Sequence, residues 1–388
     1  MRRAGAGDEA RLDAQGLDAQ GLDAAGLEAL FTGLSFYGTG GGGSAQAGLA
    51  LLLQEGLAPS DIAFAAIEAL PDDAPVACGI IIGGRDPADP LDPAVRAALG
   101  VPAGDLDLPT RFERAVRLMS ARLGTPLRAL VPVELGSLAT AALLIAAHRL
   151  GLPVLDADAA GRCIPELGMT KLDLAGLPPV PLALVDRLGG EAVIGAAASA
   201  TMADRMARQL NRAASGRGLA CLAYPGPLGQ LRGGLIAGSI GHAMEVGRRL
   251  CGPGAAAERL EAVLAFTGGE LSFEGEVSMR WRSEEPYAFR EAAYELVGTG
   301  PFASRRARIW IKNEHHFLWV DGALAAASPD PIAVLDAASL MPLATTGEAE
   351  GRRVAVVRVP VLDTAFETPE GRALFDPRRL GVEPDRRG

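Results

Sequence analysis

Lysine is all but missing from this 388-residue chain: Lys171 and Lys312 are the only two among 37 basic residues. That scarcity excludes a lysine-rich phosphate site. Cysteine is sparse as well. Cys78, Cys163, Cys221 and Cys251 stand 85, 58 and 30 residues apart with no CxxC pair, which argues against a zinc ribbon or a disulfide framework and predicts reduced, mostly buried thiols of a cytoplasmic protein. The chain has four histidines, none in an HExxH spacing, so a metal is permitted but not demanded. Positive charge is also in deficit, with 37 Lys+Arg against 47 Asp+Glu, a net charge of −10 and a pI near 5.1. Such a chain repels nucleic acid and anionic membrane surfaces, so neither is an expected partner. The longest apolar run, 138–147, stops at His148 and Arg149 and is too short to span a bilayer. The opening MRRAGAGDEARLDAQG has no apolar stretch behind its arginines and does not read as a secretory signal.

What is present is an ordinary globular balance of 49% apolar and 22% charged residues, at a length that suits two domains. Residues 12–26 form a near-repeat, LDAQG LDAQG LDAAG, whose period of five matches neither helix nor strand. Residues 1–27 are therefore expected to be a flexible extension. Short apolar runs at 62–70 and 76–82 predict buried strands, and 111–123 a helix. A βαβ unit follows, with a strand at 130–134, a helix at 137–150 and a strand at 153–158. Further on, the pattern predicts helices near 201–214 and 240–250 and a strand at 219–224. Strands with alternating character then appear at 273–281, 306–312, 317–320 and 354–361. The expected fold class is α/β: an N-terminal parallel-sheet α/β domain over 28–178, then an α+β domain over 179–388 with a β-rich end from about 270.

Several stretches carry chemistry. Gly38-Thr39-Gly40-Gly41-Gly42-Gly43-Ser44 opens a predicted helix at 45–55, and a glycine loop there can hold an anion on its amides. No clear strand precedes the loop and no GK[ST] occurs, so no nucleotide is expected. Asp156-Ala-Asp158-Ala-Ala-Gly161-Arg162-Cys163-Ile164-Pro165-Glu166 gathers three carboxylates, an arginine and a thiol at the end of a predicted parallel strand, the edge where open α/β sheets bind ligands. Alternation would set Asp156 and Asp158 on one face, a costly pairing without a cation or a shared proton. The bland alternative has Asp158 capping the next turn and Glu166 pairing with Arg162. Glu134 ends the neighbouring strand after four apolar residues, with Gly136 and Ser137, a natural helix cap, behind it. Asn313-Glu314-His315-His316 sits between two β-rich runs. Adjacent histidines on a strand face opposite ways, so at most one serves a given site. His148 suits the C-terminal end of its helix, and His242 reads either as a buried imidazole or as a ligand. Cys163 alone among the cysteines lies in polar company; a thiolate beside Arg162 would be reactive, but no histidine is adjacent to activate it.

Taken together, GTGGGGS, PVELGS, GLPVLDADAAGRCIPELGMT, GSIGHAMEVG, KNEHHFLWVDG and SPDPIAVLD resemble the S-methyl-thiohydantoin desulfurase domain family, from about residue 28 to near the end. The loop GGRDPADP after Ile82 and the single Gly136 depart from that pattern. The resemblance implies hydrolysis of a carbon–sulfur bond on a five-membered imidazolone ring, turning a thiohydantoin or its S-methyl form into a hydantoin with release of a thiol or sulfide. It further implies Asp156, Asp158, Glu134 and Glu166 as catalytic carboxylates. Gly40, Gly41, Gly42, Gly43, Ser44, Arg162, Asn313 and Glu314 would bind a small substrate with a carboxylate arm. One divalent metal, zinc before others, is the cofactor to look for, with Asp156, Asp158, His242 and His315 as its candidate ligands. A homo-oligomer is the expected state. Two alternatives stay open: a hydantoinase- or oxoprolinase-type amidohydrolase component cleaving carbon–nitrogen in the same ring, and a non-catalytic accessory or binding subunit of one.

Overall fold

The computed structural model describes residues 22–62, 64–83, 91–282 and 291–382. The opening 21 residues of the expected extension and most of the loop after Ile82 therefore lie outside the described residues. Nine strands serve the first part of the chain: β1 (Phe64–Ala65), β2 (Pro75–Ile82), β3 (Ala129–Pro132), β4 (Val154–Leu155), β5 (Ala157–Asp158), β6 (Leu182–Val185), β7 (Glu191–Ile194), β8 (Leu219–Pro227) and β9 (Ile236–Ala237). Seven of them form a sheet in the order β1-β4-β3-β2-β8-β6-β7. The β1, β4, β3 and β2 members run parallel, and β8, β6 and β7 extend the sheet antiparallel. The second sheet is wholly antiparallel. It uses β10 (Glu270–Arg282), β11 (Glu291–Gly298), β12 (Arg306–Lys312), β13 (Glu314–Val320), β14 (Ala323–Ala327), β15 (Ile332–Asp336) and β16 (Arg353–Arg358), in the order β14-β13-β12-β11-β10-β16-β15. The architecture is thus an α/β part with a parallel-containing sheet, followed by a β-rich part.

The run Val-Ala-Cys-Gly-Ile-Ile-Ile makes β2 because the strand is covered on both faces, so a continuous apolar stretch suits it better than alternation. On one face lies the Ser137–Leu150 helix, apolar almost all round and buried along most of its length. Leu143 of that helix occupies the space a side chain at Gly79 would need, 2.6 Å from its Cβ position. Ser137 does not cap this helix. Gly136 is the capping residue, and the Ser137 hydroxyl instead donates to the carbonyl of Phe31 at 2.9 Å, tying the helix to its neighbour.

Two expected strands are shorter than the apolar runs imply. The 62–70 run contracts to β1 between two 3-10 turns, Pro59–Asp61 and Ile67–Ala69, the first closed by the Asp61 carboxylate on the amide of Ala58 at 2.8 Å. The 153–158 run breaks at Asp156: β4 stays in the first sheet, while β5 turns away to pair with β9. The first sheet also continues past residue 178, because β6, β7 and β8 belong to it.

The Ala24–Tyr37 and Ser239–Leu250 helices hold distant parts of the chain together. They approach until backbone touches backbone. A Cβ on Gly33 would lie 1.7 Å from the carbonyl oxygen of Ala243, and one on Gly247 would lie 1.8 Å from that of Ala29. Neither obstacle is a flexible side-chain tip, so the helices must separate to admit a methyl group. We therefore expect Gly33→Ala and Gly247→Ala each to cost about 3 kcal/mol or more, the upper range of overpacking. Gly104→Ala, where nothing lies within 4 Å of the added carbon, serves as the neutral control. Urea unfolding of the three variants measures the difference.

Candidate active site

Four separate segments meet around a buried cluster: the 38–44 glycine loop, the end of β3, the turn after β5, and the start of β13. Successive glycines are each required by a different neighbour. A Cβ on Gly40 would sit 2.6 Å from the ring of His315, one on Gly41 2.2 Å from Glu314 Oε1, and one on Gly42 2.5 Å from the sulfur of Cys163. Gly136, packed against Gly42, closes on the same sulfur, its Cβ position 3.0 Å away. Gly40 and Gly42 also hold positive φ values of 90° and 69°, which glycine adopts without strain. The Ser44 hydroxyl accepts from the amide of Ala47 and caps the Ala45–Gln54 helix.

Glu134, Cys163 and Glu314 form the centre. Glu134 Oε2 accepts from the amide of Ile164 at 2.8 Å. The Cys163 thiol donates to the carbonyl of Leu135 at 3.2 Å. Burial pushes Glu134 up to about 7 against the pull of the Ile164 amide and the nearby thiol. Burial, then the nearby Glu134 charge, pushes Glu314 up to about 8. The thiol is driven well above its ordinary value by burial and by both carboxyls. Glu314 Oε1 is held by the Asn313 side-chain amide, on a residue with φ +64° at the β12–β13 turn, while Oε2 is buried with no hydrogen-bond partner. His316 lies two residues further along β13, on the same face, with Nε2 3.7 Å from Glu314 Oε2. Its Nδ1 is 2.9 Å from the Ser328 hydroxyl, and burial keeps the ring neutral. His315 faces the other way, with Nδ1 at 3.1 Å from the carbonyl of Ile332 and burial lowering it to about 3.

Arg162 is central but not as a substrate anchor. Its Nε donates to the Cys163 carbonyl. One terminal nitrogen reaches Ser328 Oγ and the carbonyls of Pro329 and Asp330, and the other reaches Thr39 Oγ1 and the carbonyl of His315. Every nitrogen is spent on the protein, so the expectation that Arg162 clamps a carboxylate gives way to a role in positioning the loops. Burial lowers its pKa to about 10, which leaves it cationic beside Glu314 and Glu134 at neutral pH.

The two aspartates are placed elsewhere. Because the strand breaks at Asp156, the two do not share a face of one continuous strand. Asp156 Oδ1 accepts from the amides of Ile240 and Gly241, both at 3.0 Å, and so caps the Ser239–Leu250 helix in place of Gly238, which has no side chain to do it. Asp158 Oδ2 accepts from Ala160 and Gly161 at 2.9 and 2.7 Å, the turn-capping arrangement, and burial raises it to about 7. Glu166 pairs with Lys312 at 3.1 Å rather than with Arg162. His242 Nε2 meets the Tyr37 hydroxyl at 2.8 Å and its ring stacks on Phe266, with burial lowering it to about 4. The proposed metal ligands Asp156, Asp158, His242 and His315 thus each bond to a different partner, while Asp158 Oδ1 and His315 Nε2 are buried without one. Among the described residues, no three His, Cys, Asp or Glu side chains converge in a way that could hold a metal ion. The residues present do not fit the expected zinc.

The sequence names Glu134, Glu314 and the glycines but does not show that Glu314 packs on Gly41 or that the Glu134 charge acts on Glu314. Sequence reasoning gave Cys163 little weight and left open which of His315 and His316 serves a site. The signal for His316 was its i+2 spacing from Glu314 on a strand; that for Cys163 was a thiol directly after a buried arginine. A cavity of about 280 Å³ bounded by Asp173, Pro178 and Ser199 shares none of these residues. No helix among the described residues is long and apolar enough to cross a membrane.

Comparison with known proteins adds a family to this geometry. The model for the S-Me-THD-like N-terminal domain matches residues 25–196, and that for the S-Me-THD-like C-terminal domain matches residues 198–387. A crystal structure of a protein from Chromobacterium violaceum is similar over 93% of this chain and 96% of that one, with a TM-score of 0.70 and 23% sequence identity, a likeness of fold. No curated protein matches the chain.

Two outcomes are expected from these placements. Asp156→Asn keeps an acceptor for the helix amides and retains most of the stability, whereas Asp156→Ala bares both and costs about 1–2 kcal/mol in denaturant unfolding. Glu134, Asp158 and Glu314 hold protons in the folded chain that the unfolded chain gives up in the ordinary carboxylate range. Their contribution is present at low pH and lost as pH rises through 7 to 8, where the histidines are neutral in both states. The melting temperature should therefore fall between about pH 6.5 and pH 9, and Glu314→Gln should flatten that slope.

Proposed function

We propose, from the premise that the chain belongs to the S-Me-THD-like family, that it hydrolyses the carbon–sulfur bond of a thiohydantoin or S-methyl-thiohydantoin, giving a hydantoin and a thiol or sulfide. The family name carries thiohydantoin chemistry in general; the reaction itself is argued from the site. The observation that supports it most is the Glu134–Glu314 pair, two buried carboxyls raised to about 7 and about 8 by burial, the charge of Glu134 adding to the shift of Glu314.

The net reaction puts a water oxygen on the amidine-like ring carbon and removes sulfur from it. A base must take a proton from the attacking group while an acid delivers one to the ring nitrogen that carries the developing negative charge. Carboxyls whose pKa values bracket neutral pH suit both tasks, the lower as base and the higher as acid. In this reading Glu134, the carboxyl of lower pKa, is the base, held by the Ile164 amide. Glu314 is the acid, with Oε1 fixed by Asn313 and Oε2 left without a hydrogen-bond partner. His316, neutral and 3.7 Å from Oε2, relays or steadies that proton. The carboxylate arm of the substrate falls to the amides of the glycine loop, whose Gly42–Ser44 portion is half-buried, since the nitrogens of Arg162 are engaged within the protein. Asp156 and Asp158 take no part in this scheme.

The test is thiol release from S-methyl and unsubstituted thiohydantoins bearing a propionate arm, followed across pH. A bell is expected, rising near pH 7 and falling near pH 8. Glu134→Gln should lower kcat/KM by about 10²–10⁴-fold, and Glu314→Gln should remove the alkaline limb along with a comparable fraction of the rate. Ring opening without thiol release would point instead to carbon–nitrogen cleavage, and tight hydantoin binding without any turnover to an accessory subunit.

A further inference from the structure

We infer that Ser328 is a positioning residue: it passes on the fixed polarity of the Arg162 guanidinium and so sets which nitrogen of His316 carries the proton, leaving Nε2–H to face Glu314 Oε2. The use of this proton in catalysis rests on the carbon–sulfur reading; its placement does not. The placement follows from which groups can donate. A guanidinium has donors and no acceptor, and Arg162 donates to Ser328 Oγ at 2.7 Å. The Ser328 hydroxyl has one hydrogen of its own and one other hydrogen-bonding neighbour among the described residues, His316 Nδ1 at 2.9 Å. Were Nδ1 protonated, Ser328 Oγ would accept twice and its own buried hydrogen would have no acceptor. With Nδ1 bare, the hydroxyl donates to it and the whole chain from Arg162 to the imidazole is satisfied. Burial keeps that ring neutral, so its single proton is on Nε2.

The same polarity accounts for an unmade contact. Nε2 and Glu314 Oε2 are 3.7 Å apart, both buried and both without a hydrogen-bond partner. The Asn313 amide donates to Oε1, so the proton of a neutral Glu314 sits on Oε2, where it meets the Nε2 hydrogen donor to donor. Once Glu314 ionises, Oε2 is an acceptor for Nε2–H. The chain therefore favours the charged form of Glu314. It acts in the same sense as Arg162, Asn313 and Arg208, and against burial and the Glu134 charge; the nearby Cys163 thiol stays protonated. Around the imidazole, burial first and then Arg162 oppose a second proton, with the Lys312 and His315 charges adding to them and the Lys312 carbonyl pulling the other way. Lys312 is itself paired with Glu166. In the proposed reaction, Glu314 becomes a carboxylate when it gives its proton to the ring nitrogen, and Nε2–H is already oriented to meet that charge.

Long-range proton–nitrogen correlation spectra of the full-length protein, labelled with 15N-histidine and free of substrate, test this. The His316 signals are those lost in His316→Gln. At about pH 6.5 the wild type is expected to show a pyridine-like Nδ1 and a pyrrole-like Nε2. Ser328→Ala should move the proton to Nδ1 wholly or in part, because Glu314 Oε2–H can then donate to a bare Nε2; Ser328→Thr, which keeps the hydroxyl, should retain the wild-type pattern. On raising the pH, the wild-type Nε2 signal should shift with an inflection near pH 8 that Glu314→Gln removes. In Ser328→Ala that inflection should rise by about one pH unit, the scale of one hydrogen bond to a charged group. A wild-type ring protonated on Nδ1, or a Ser328→Ala ring indistinguishable from wild type, overturns the proposal. A protein that shows the expected spectra but releases no thiol from any thiohydantoin overturns the carbon–sulfur reading alone and supports the proton placement.

Discussion

The buried Arg162 guanidinium is the constraint on which the site depends. Taking a charge out of water is expensive, and it is tolerated only when every donor is met. Here the donors reach Thr39 of the glycine loop, the carbonyl of Cys163, the carbonyl of His315 and the 328–330 turn. One side chain therefore fixes the relative positions of three segments that carry the thiol, the glycines and the Glu314 strand. Its positive charge also sits near Glu134 and Glu314, which tempers the repulsion between two carboxyls that burial alone would drive still higher. Removing it would leave the cluster without its counter-charge and its frame together.

How much of this was legible beforehand can be judged residue by residue. The Ser137–Leu150 helix, β2 and β12 announce themselves by length, apolar pattern and flanking breakers, because each is decided by local sequence and burial. The pairing of Asp156 with Asp158 failed for a reason no periodicity carries. Asp156 is claimed by amides of a helix more than eighty residues away, and the strand bends to deliver it. Arg162 was misread in the same way: a single arginine in a polar stretch looks like an anchor for a ligand until its distant carbonyl partners are known. The clustering of Glu134, Cys163 and Glu314 depends on contacts across up to 180 residues, so sequence offered the members of the group without the group.

The glycine loop shows how one motif can carry several meanings. Read alone, GTGGGGS suggests an anion cradle at a helix start. In place, Gly40, Gly41 and Gly42 are each answered by a particular side chain, His315, Glu314 or Cys163. The absence of Cβ atoms there brings backbone to within contact of the reactive groups. The parallel part of the first sheet supplies the platform, since β3 and β4 end beside Glu134 and Asp156. The antiparallel part of the chain supplies Glu314. Neither sheet holds the whole cluster.

The glycine contact between the Ala24–Tyr37 and Ser239–Leu250 helices also bears on how the chain is made. Most of the first helix is buried in the finished fold, and about 200 residues must be synthesised after it before its partner appears. At about 5–20 residues per second that interval is about 10–40 s. Throughout it the nascent chain carries an apolar helix without its native cover, together with a sheet still missing the long strand β8. Synthesis order thus sets a period of exposure that neither half of the molecule can end by itself.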